Sequence, residues 1–592
     1  MQHNSIQTLN NEPLKTSATP LKRDLLFLLV CRPDKLLAAC WWRLCGKKLR
    51  ARYRLEEAIA ALPFAHERWM ARIGRKDLET VKGAGRRPRI GVYVDASQHD
   101  DIEAVLASCR AQSKPADKVI VTDHQGNFML GLCAALEEAQ EAGLDWLVPL
   151  AAQTTLPRHA LAAYAAHILR EDDNSLPTLI FGDEEARPTR WRSATAWYKP
   201  HWDRRMFLSQ DYVSGSCALR VAPTLRHLQE SKDALPASLY HMLLQLFADE
   251  ARGEVQHVSR VTARTAEEAW QGDAEQRLAA VKAFASDAAA VLPGPFGTVR
   301  ITWSMPEPAP KVSIIVPTRD RVELLRTCAE GVLKQTHYPD FELIVADNDS
   351  SEPQTLAYME EIASDARVCI VRWPHPFNYS AINNFAARHA RGEFLCLLNN
   401  DIEVIEPDWL SAMMREAVRP GVGAVGARLL YPDRTIQHAG VAIGIGNAAG
   451  HAHRGLEPGE PGYFAQALIA RGASAVTAAC LLVAKRHFDA VGGLDEVHLA
   501  VAYNDVDLCL KLQAAGLRNI YTPAATLIHH ESKSRGLDFA PEHLERYMRE
   551  LAVFQEKWGT MRVVDPWHHP QLDRAREIYA AGSNQIRQGK PV

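Results

Sequence analysis

The sequence predicts an α/β protein of two tandem units, each on a mostly parallel sheet, behind a helical N-terminal segment. Three observations carry this. At 592 residues the chain exceeds one ordinary core, which sets two or three domains. Short apolar, β-branched runs alternate with helix-period stretches in two separate regions, and such alternation implies parallel strands joined by crossover helices. Glycine- and proline-bearing stretches, KGAGRRPR at Lys82 to Arg89 and LPGPFGTVRITWSMPEPAP at Leu292 to Pro310, separate the regions. The expected divisions are a tail and basic helical segment (1–86), a first unit (87–291), a linker (292–310), a second unit (311–540) and a helical extension (541–592).

The formal charge of −3 argues against a nucleic-acid partner held by bulk electrostatics. Eleven cysteines are scattered with no C-x-x-C pair, several inside apolar runs, and read as reduced core thiols of a cytoplasmic protein. No stretch reads as a secretory signal, and no apolar run reaches the ~18 residues that span a bilayer.

Met1 to Pro20 is polar and reads as disordered. DLLFLLVCRPDKLLAACWWRLCGKKLRARYR follows, where Trp41, Trp42 and the leucines meet Arg43, Lys47, Lys48, Arg50, Arg52 and Arg54. Two readings stand: a helix in the interface of an anionic membrane, at the inner face, or an amphipathic helix packed on the protein with its basic face in water. In the first unit Ile90–Val94, Lys118–Thr122, DWLVPL and LIFGDEEA read as strands, and a helix is expected near Ala274 to Val291. Asp183, Glu184 and Glu185 read as a solvated turn.

The second unit opens with the strand Val312 to Val316, which delivers Pro317-Thr318-Arg319 to its carboxyl end, where open α/β sheets bind ligands. The next strand, Phe341 to Ala346, ends in Asp347-Asn348-Asp349-Ser350. Asp347 there is either an acceptor for base or ribose groups or the start of an Asx-turn. Phe394 to Leu398 is apolar throughout, as a strand buried on both faces requires, and stops at Asn399-Asn400-Asp401. Asp401 can share a divalent cation with a substrate's phosphates; the plainer reading is good turn chemistry. Gly492-Gly493 turns the chain into Asp495-Glu496, and a helix starts at Asn504 or Asp505 and ends at Gly516. Asp505 is either a helix-terminal charge or a general base at the mouth of a site. His529 and His530 are a metal ligand or ordinary surface histidines. No G-x-G-x-x-G follows the first strand and no P-loop occurs.

VSIIVPTRDR, ADNDS, PFNYSAINN, LNNDIEVI, VGGLDE, NDVDLCLK and HHESKSRG, in that order over about Lys311 to Arg535, resemble the family 2 inverting glycosyltransferases of the GT-A fold. The closest group is that of bacterial O-antigen and surface-polysaccharide assembly. The resemblance implies a nucleotide-sugar donor bound by Pro317, Thr318, Arg319, Asp347, Asp349, Asn399, Asn400 and Asp401. It implies a Mg²⁺ or Mn²⁺ ion on Asp401 with His529, a saccharide or lipid-linked acceptor contacted by Asp495 and Glu496, and Asp505 as base. The family's D-x-D survives only as Asp401, and its Glu-Asp base motif is Asn504-Asp505. No Q-x-x-R-W follows. The rivals are a sugar nucleotidyltransferase, which would want a glycine-rich loop after the first strand, and a non-catalytic glycan-binding scaffold.

The first unit reads as a degenerate copy of the second. Aligning RPRIGVYVDASQ with PKVSIIVPTRDR matches Asp123 to Asp347 and sets Ala151, Ala152 and Gln153 where Asn399, Asn400 and Asp401 stand. The copy is shorter between these points, as if one helix and strand were lost, and it is expected to be catalytically inert.

Overall fold

The computed structural model describes residues 22–47, 65–98, 102–124, 126–150, 153–171, 176–187, 195–230, 235–247, 255–266, 272–530 and 541–574, with isolated residues at 51–62 and 577–579. Ala151, Ala152 and the ESKSRG run lie outside the described residues, as do Lys48, Arg50 and Arg52.

Two helices open the description, α1 (Lys22–Cys31) and α2 (Pro33–Leu44), joined at Arg32, where Pro33 lacks the N–H that would continue α1. Helix α3 (Ala65–Gly83) leads into the first unit and is fastened there by Asp77, which accepts from Arg260 (2.8 Å) and Arg170 (3.3 Å). No described helix is long and apolar enough to cross a membrane.

The first sheet contains β1 (Ile90–Asp95), β2 (Lys118–Thr122), β3 (Trp146–Leu150), β4 (Leu179–Ala186), β5 (Ala196–Trp197), β6 (Cys217–Arg220) and β7 (Val255–Thr265). Its order is β2-β1-β3-β6-β4-β5, with β7 beside β4, and only β6 and β5 run against the rest. A helix does form at Ala274–Phe284, but Ala288–Val291 leaves it as strand β8 (Ala288–Pro293), paired antiparallel with β9 (Val299–Trp303). The expected helix is therefore shortened, and the stretch read as linker carries half a hairpin.

The second sheet comprises β10 (Val312–Thr318), β11 (Phe341–Asp347), β12 (Val368–Arg372), β13 (Phe394–Leu398), β14 (Ile402–Val404), β15 (Val422–Leu430), β16 (Ile436–His438), β19 (Arg471–Ala473), β20 (Cys480–Ala484) and β21 (Arg518–His529); β17 (Val441–Ile443) and β18 (Ala449–His451) pair separately. Its order is β12-β11-β10-β13-β20-β15-β21-β14, and β20 is the strand reversed at its centre. Every side chain of β13 is buried between β10 and β20, which accounts for its lack of a polar face. The glycine-rich segment after His438 carries β17 and β18.

Six strands of each sheet share one order and one set of directions. β2, β1, β3, β6, β4 and β7 occupy the places of β11, β10, β13, β20, β15 and β21 with the same directions, and β12 has no counterpart. Gly91 pairs with Lys118 and Leu147 as Ser313 pairs with Glu342 and Leu395, which brings Asp123 into register with Asp347 and corrects the aligned first strands by one residue, since the alignment of RPRIGVYVDASQ sets Ile90 against Ser313. Both parallel pairs shift register at one matching place, after Gly182 and after Ala427. The Thr155–Arg264 bridge stands where β14 meets β21, so Gln153 falls at the position of Asp401.

The units pack on each other directly. Arg205 forks onto Glu416 (2.7–3.1 Å), and Trp197 stacks on Phe464 at 4.5 Å. Beyond a helix at Pro541–Trp558, residues 559–574 cross back to the first unit: Trp567 Nε1 donates to Asp203 (2.9 Å), and His201 N donates to the Pro566 carbonyl (2.8 Å).

Candidate active site

The site lies along the carboxyl ends of β10, β11 and β13. Asn348 N donates to the Thr318 carbonyl (2.8 Å), tying the first two strand exits together. Asn400 Nδ2 donates to Thr318 Oγ1 (3.0 Å), tying the third to the first. Asp320, at φ 52°, accepts from Ser351 N and Glu352 N, and Asp320 N donates to Ser350 Oγ, so the P-T-R-D and D-N-D-S loops form one rim. Asp347 is buried, and its Oδ1 accepts from Ser350 N (3.0 Å). The turn reading thus holds for that oxygen, while Oδ2 lies 4.0 Å from Arg372 Nε. Asp349 is exposed and paired with Arg372 (2.7 Å), Pro317 is half-buried and Arg319 exposed.

Asp401 follows β13 and is buried. His529, at the end of β21 rather than in a loop, brings Nε2 to 3.1 Å from Asp401 Oδ1. Nδ1 lies 2.8 Å from Gln437 Oε1. Asn399 Nδ2 lies 3.3 Å from Nε2, and Asn399 Oδ1 faces the Tyr379 hydroxyl at 3.2 Å. Asp401 Oδ1 is buried against the same ring nitrogen. Burial raises the Asp401 pKa, but the adjacent His529 outweighs it and holds the carboxyl below its ordinary range. A buried carboxylate beside an imidazole nitrogen is a donor set that fits a divalent cation. His530 turns away, with N on the Asp401 carbonyl (3.0 Å) and Nε2 on Glu403 (2.8 Å).

Asp505 stands in the first turn of the helix Asn504–Ala514, entered through Tyr503 at φ 61°. Its Oδ1 accepts from Val506 N (2.8 Å) and its Oδ2 from Ala478 N (3.0 Å), which aim the carboxylate while leaving lone pairs on both oxygens. Ala478 connects the two ends of the site: its carbonyl accepts from the Tyr379 hydroxyl at 3.1 Å, and Asn399 N donates to the Ala479 carbonyl (3.1 Å). A run of close contacts therefore leads from Asp505 through Ala478 and Tyr379 to Asn399, beside His529 and Asp401. Tyr379 lies in PFNYSAINN, quoted above without a role; Ala478 contributes backbone only and leaves no mark in a sequence.

Asp495 accepts from His498 N (3.0 Å) and lies 3.6 Å from Lys557. Glu496 is exposed and held by Asn384 Nδ2 (2.9 Å), so the G-G-L-D-E turn is pinned to the helix Tyr379–Ala387 at the rim.

In the first unit Asp183, Glu184 and Glu185 are not a solvated turn: all three are buried within β4. Their counterions come from elsewhere in the chain: Lys199 for Glu184 (2.6 Å), His66 for Glu185 (2.7 Å) with Arg264, and His257 for Asp183 (2.9 Å). His569 from the C-terminal crossing segment adds Nε2 at 3.1 Å from Asp183 Oδ2. Ligand atoms of Asp183, His257 and His569 lie within 4.8 Å of one another, the one such trio among the described residues. Gln571 N donates to His569 Nδ1 (3.0 Å), however, so the neutral ring carries its proton on Nε2, the atom that faces the carboxylate. Lys199 N also donates to Oδ1 (2.9 Å). As hydrogen-bonded, the trio is a clasp between the units. Burial raises the Asp183 pKa, yet His569 and His257 hold it far below the carboxylate range.

The second unit is thus a mixed α/β unit with acidic side chains at the strand exits, an imidazole beside one of them and a carboxylate at a helix start joined to the same rim. Residues 313–453, within the second unit, match the family described as Glycosyl transferase family 2. Asp401 lies inside the match; Asp495, Glu496, Asp505 and His529 lie beyond it. The chain is 38% identical over 509 residues to the protein y4gI of Sinorhizobium fredii (strain NBRC 101917 / NGR234), across 83% of this chain and 55% of that one. It is 35% identical over 442 residues to the O-antigen biosynthesis protein RfbC of Myxococcus xanthus, across 72% of this chain and 34% of that one. The chain thus spans about half, and about a third, of these relatives. Among solved structures, a mannosyltransferase of Pyrobaculum calidifontis aligns over 41% of this chain and 64% of its own, at 18% identity and a TM-score of 0.31.

Proposed function

We propose that the second unit transfers a sugar, with inversion, from a nucleoside-diphosphate donor to a hydroxyl of a saccharide or lipid-linked acceptor in surface-polysaccharide synthesis. The observation that carries this reading is the run of contacts from Asp505 through Ala478 and Tyr379 to Asn399, beside Asp401 and His529, because it holds a base and a leaving-group pole in one frame. Asp505 accepts the acceptor's hydroxyl proton as that oxygen bonds to the anomeric carbon, and the bond from that carbon to the diphosphate oxygen breaks. A Mg²⁺ or Mn²⁺ ion held by Asp401 and His529 would supply charge stabilisation to the departing diphosphate. No second carboxylic acid is then required, unlike glycoside hydrolysis. Thr318, Pro317, Arg319, Asp347 and Asp349 form the donor rim with Asn399 and Asn400, and Asp495 and Glu496 the acceptor side. The similarity to a protein named for O-antigen biosynthesis supports the acceptor class, and the reading places the work in the cytoplasm at the inner membrane.

The first unit is read as a degenerate duplicate of the second. Gln153 takes the place of Asp401 and the acids of β4 are consumed in ion pairs, so its roles are packing and presentation of the second unit. A panel of nucleotide sugars incubated with purified protein, with and without chelator, tests the function. Chelator-sensitive release of nucleoside diphosphate from one donor is expected; release from none, in the presence of bacterial lipid-linked acceptors, would overturn it.

A further inference from the structure

The helices α1 and α2 carry an apolar face that nothing among the described residues covers. Leu26, Leu29 and Val30 recur at helical spacing on α1, and Leu37, Trp41 and Leu44 on α2; these six side chains are 53–83% exposed. With Phe27 they make seven of the eighteen exposed large apolar side chains among the described residues, gathered in two short helices while the others are scattered. The opposite face is occupied: Leu28 is buried in a cluster with Ala58, Ile59 and Leu62, and Arg68 of α3 lies over the Phe27 ring at 4.9 Å. The hairpin is therefore seated on the protein by one face and presents the other outward, so the two readings left open by the sequence apply to two faces of the same helices.

Charge identifies the occupant. From Arg32 to Arg54 the sequence holds eight Lys or Arg residues and one acid, Asp34, within a chain of net charge −3. Asp34 is already neutralised by Arg32 at 3.1 Å. Helices of 10 and 12 residues are too short to span a hydrocarbon core of about 30 Å, but apolar on one side and flanked by cations they suit its boundary. We propose that this hairpin is a docking surface for an anionic lipid membrane, with Leu26, Leu29, Val30, Leu37, Trp41 and Leu44 inserted among the acyl chains and Lys35, Arg43 and Lys47 at the headgroup phosphates. The first unit, to which α3 fastens the hairpin, becomes the membrane-bound platform of the molecule. The inference does not depend on the sugar-transfer reading, and its test involves no turnover.

Full-length protein is sedimented with phosphatidylcholine vesicles containing about 30 mol% phosphatidylglycerol, and with pure phosphatidylcholine vesicles, in about 0.1 M salt. Binding to the anionic vesicles alone is expected, with a blue shift of Trp emission that Trp41→Ser abolishes. The variant L37S/W41S/L44S, altered only at exposed positions, is expected to bind on the order of tenfold or more weakly, as is R43E/K47E. Absence of binding to both vesicles, or binding unchanged in both variants, would overturn the proposal. So would a dimer in solution that L37S/W41S/L44S converts to monomer, because the face would then belong to a second copy; an acidic protein partner as occupant would appear as vesicle binding indifferent to R43E/K47E.

Discussion

Asn399, Asp401 and Gln437 surround the His529 ring. Asn399 Nδ2 lies 3.3 Å and Asp401 Oδ1 3.1 Å from Nε2, and Gln437 Oε1 lies 2.8 Å from Nδ1. His529→Ala is therefore expected to weaken Mn²⁺ binding strongly, and Gln437→Ala by roughly 10- to 100-fold, the usual effect of removing the partner that orients a metal-bound histidine. Titration calorimetry with Mn²⁺ checks both; unchanged affinity in His529→Ala would remove it from the cation site. Asp401 and Asp505 were legible in the sequence because an acid directly after a buried strand, or at a helix start behind a Gly-Gly turn, stands out locally. The orientation of Asn399, and the anchoring of Asp505 by Ala478, were not legible, because they depend on contacts between residues far apart in the chain. For the same reason the Asp183–Glu185 run was misread: three consecutive acids look solvated until Lys199, His257, Arg264 and His569 are brought to them by folding.

At the scale of elements, the site rests on β13 and on the helix Tyr379–Ala387. Leu397 is fully buried, and Leu397→Ala is expected to cost roughly 2–5 kcal/mol of stability in denaturant unfolding, since the strand is packed on both faces and a cavity there has little room to collapse. Tyr379→Phe deletes the hydroxyl that reaches both Asn399 and Ala478. It is expected to leave the melting temperature within a few degrees but lower kcat and Mn²⁺ affinity together; a drop in stability alone would assign Tyr379 to packing. Most elements could be read from periodicity, including the buried β13 and the helix begun at Asn504. The exception at Ala288–Val291 has a physical cause: an alanine-rich run has high helix propensity, and only pairing with β9 beyond a Gly-Pro turn makes it a strand.

Over the whole molecule, the crossing segment 559–574 couples the units, and it does so through buried histidines. Burial, with help from His257, lowers the His201 pKa to about 3; burial, with help from Arg574, lowers that of His568 to about 3. Both values lie below the ordinary ~6.5, so the unfolded chain binds these protons first. Their stabilising contribution is present above about pH 6.5 and is lost as pH falls from there toward 3, at up to about 1.4 kcal/mol per pH unit for each group. The melting temperature is expected to fall between pH 7 and 5, less steeply in His568→Gln; a flat profile would contradict the assignment. The likeness of the two units showed in the sequence as a weak match of strand-end residues, and the sheets add what sequence cannot carry: a shared strand order and a shared register shift, with no counterpart of β12 in the first. The central claim is that one unit performs transfer with Asp505 as its base, and kinetics of Asp505→Asn with the donor found by the panel test it most directly. A loss of about 10²–10⁴ in kcat with donor affinity unchanged is predicted; turnover near that of the unaltered protein would contradict the account.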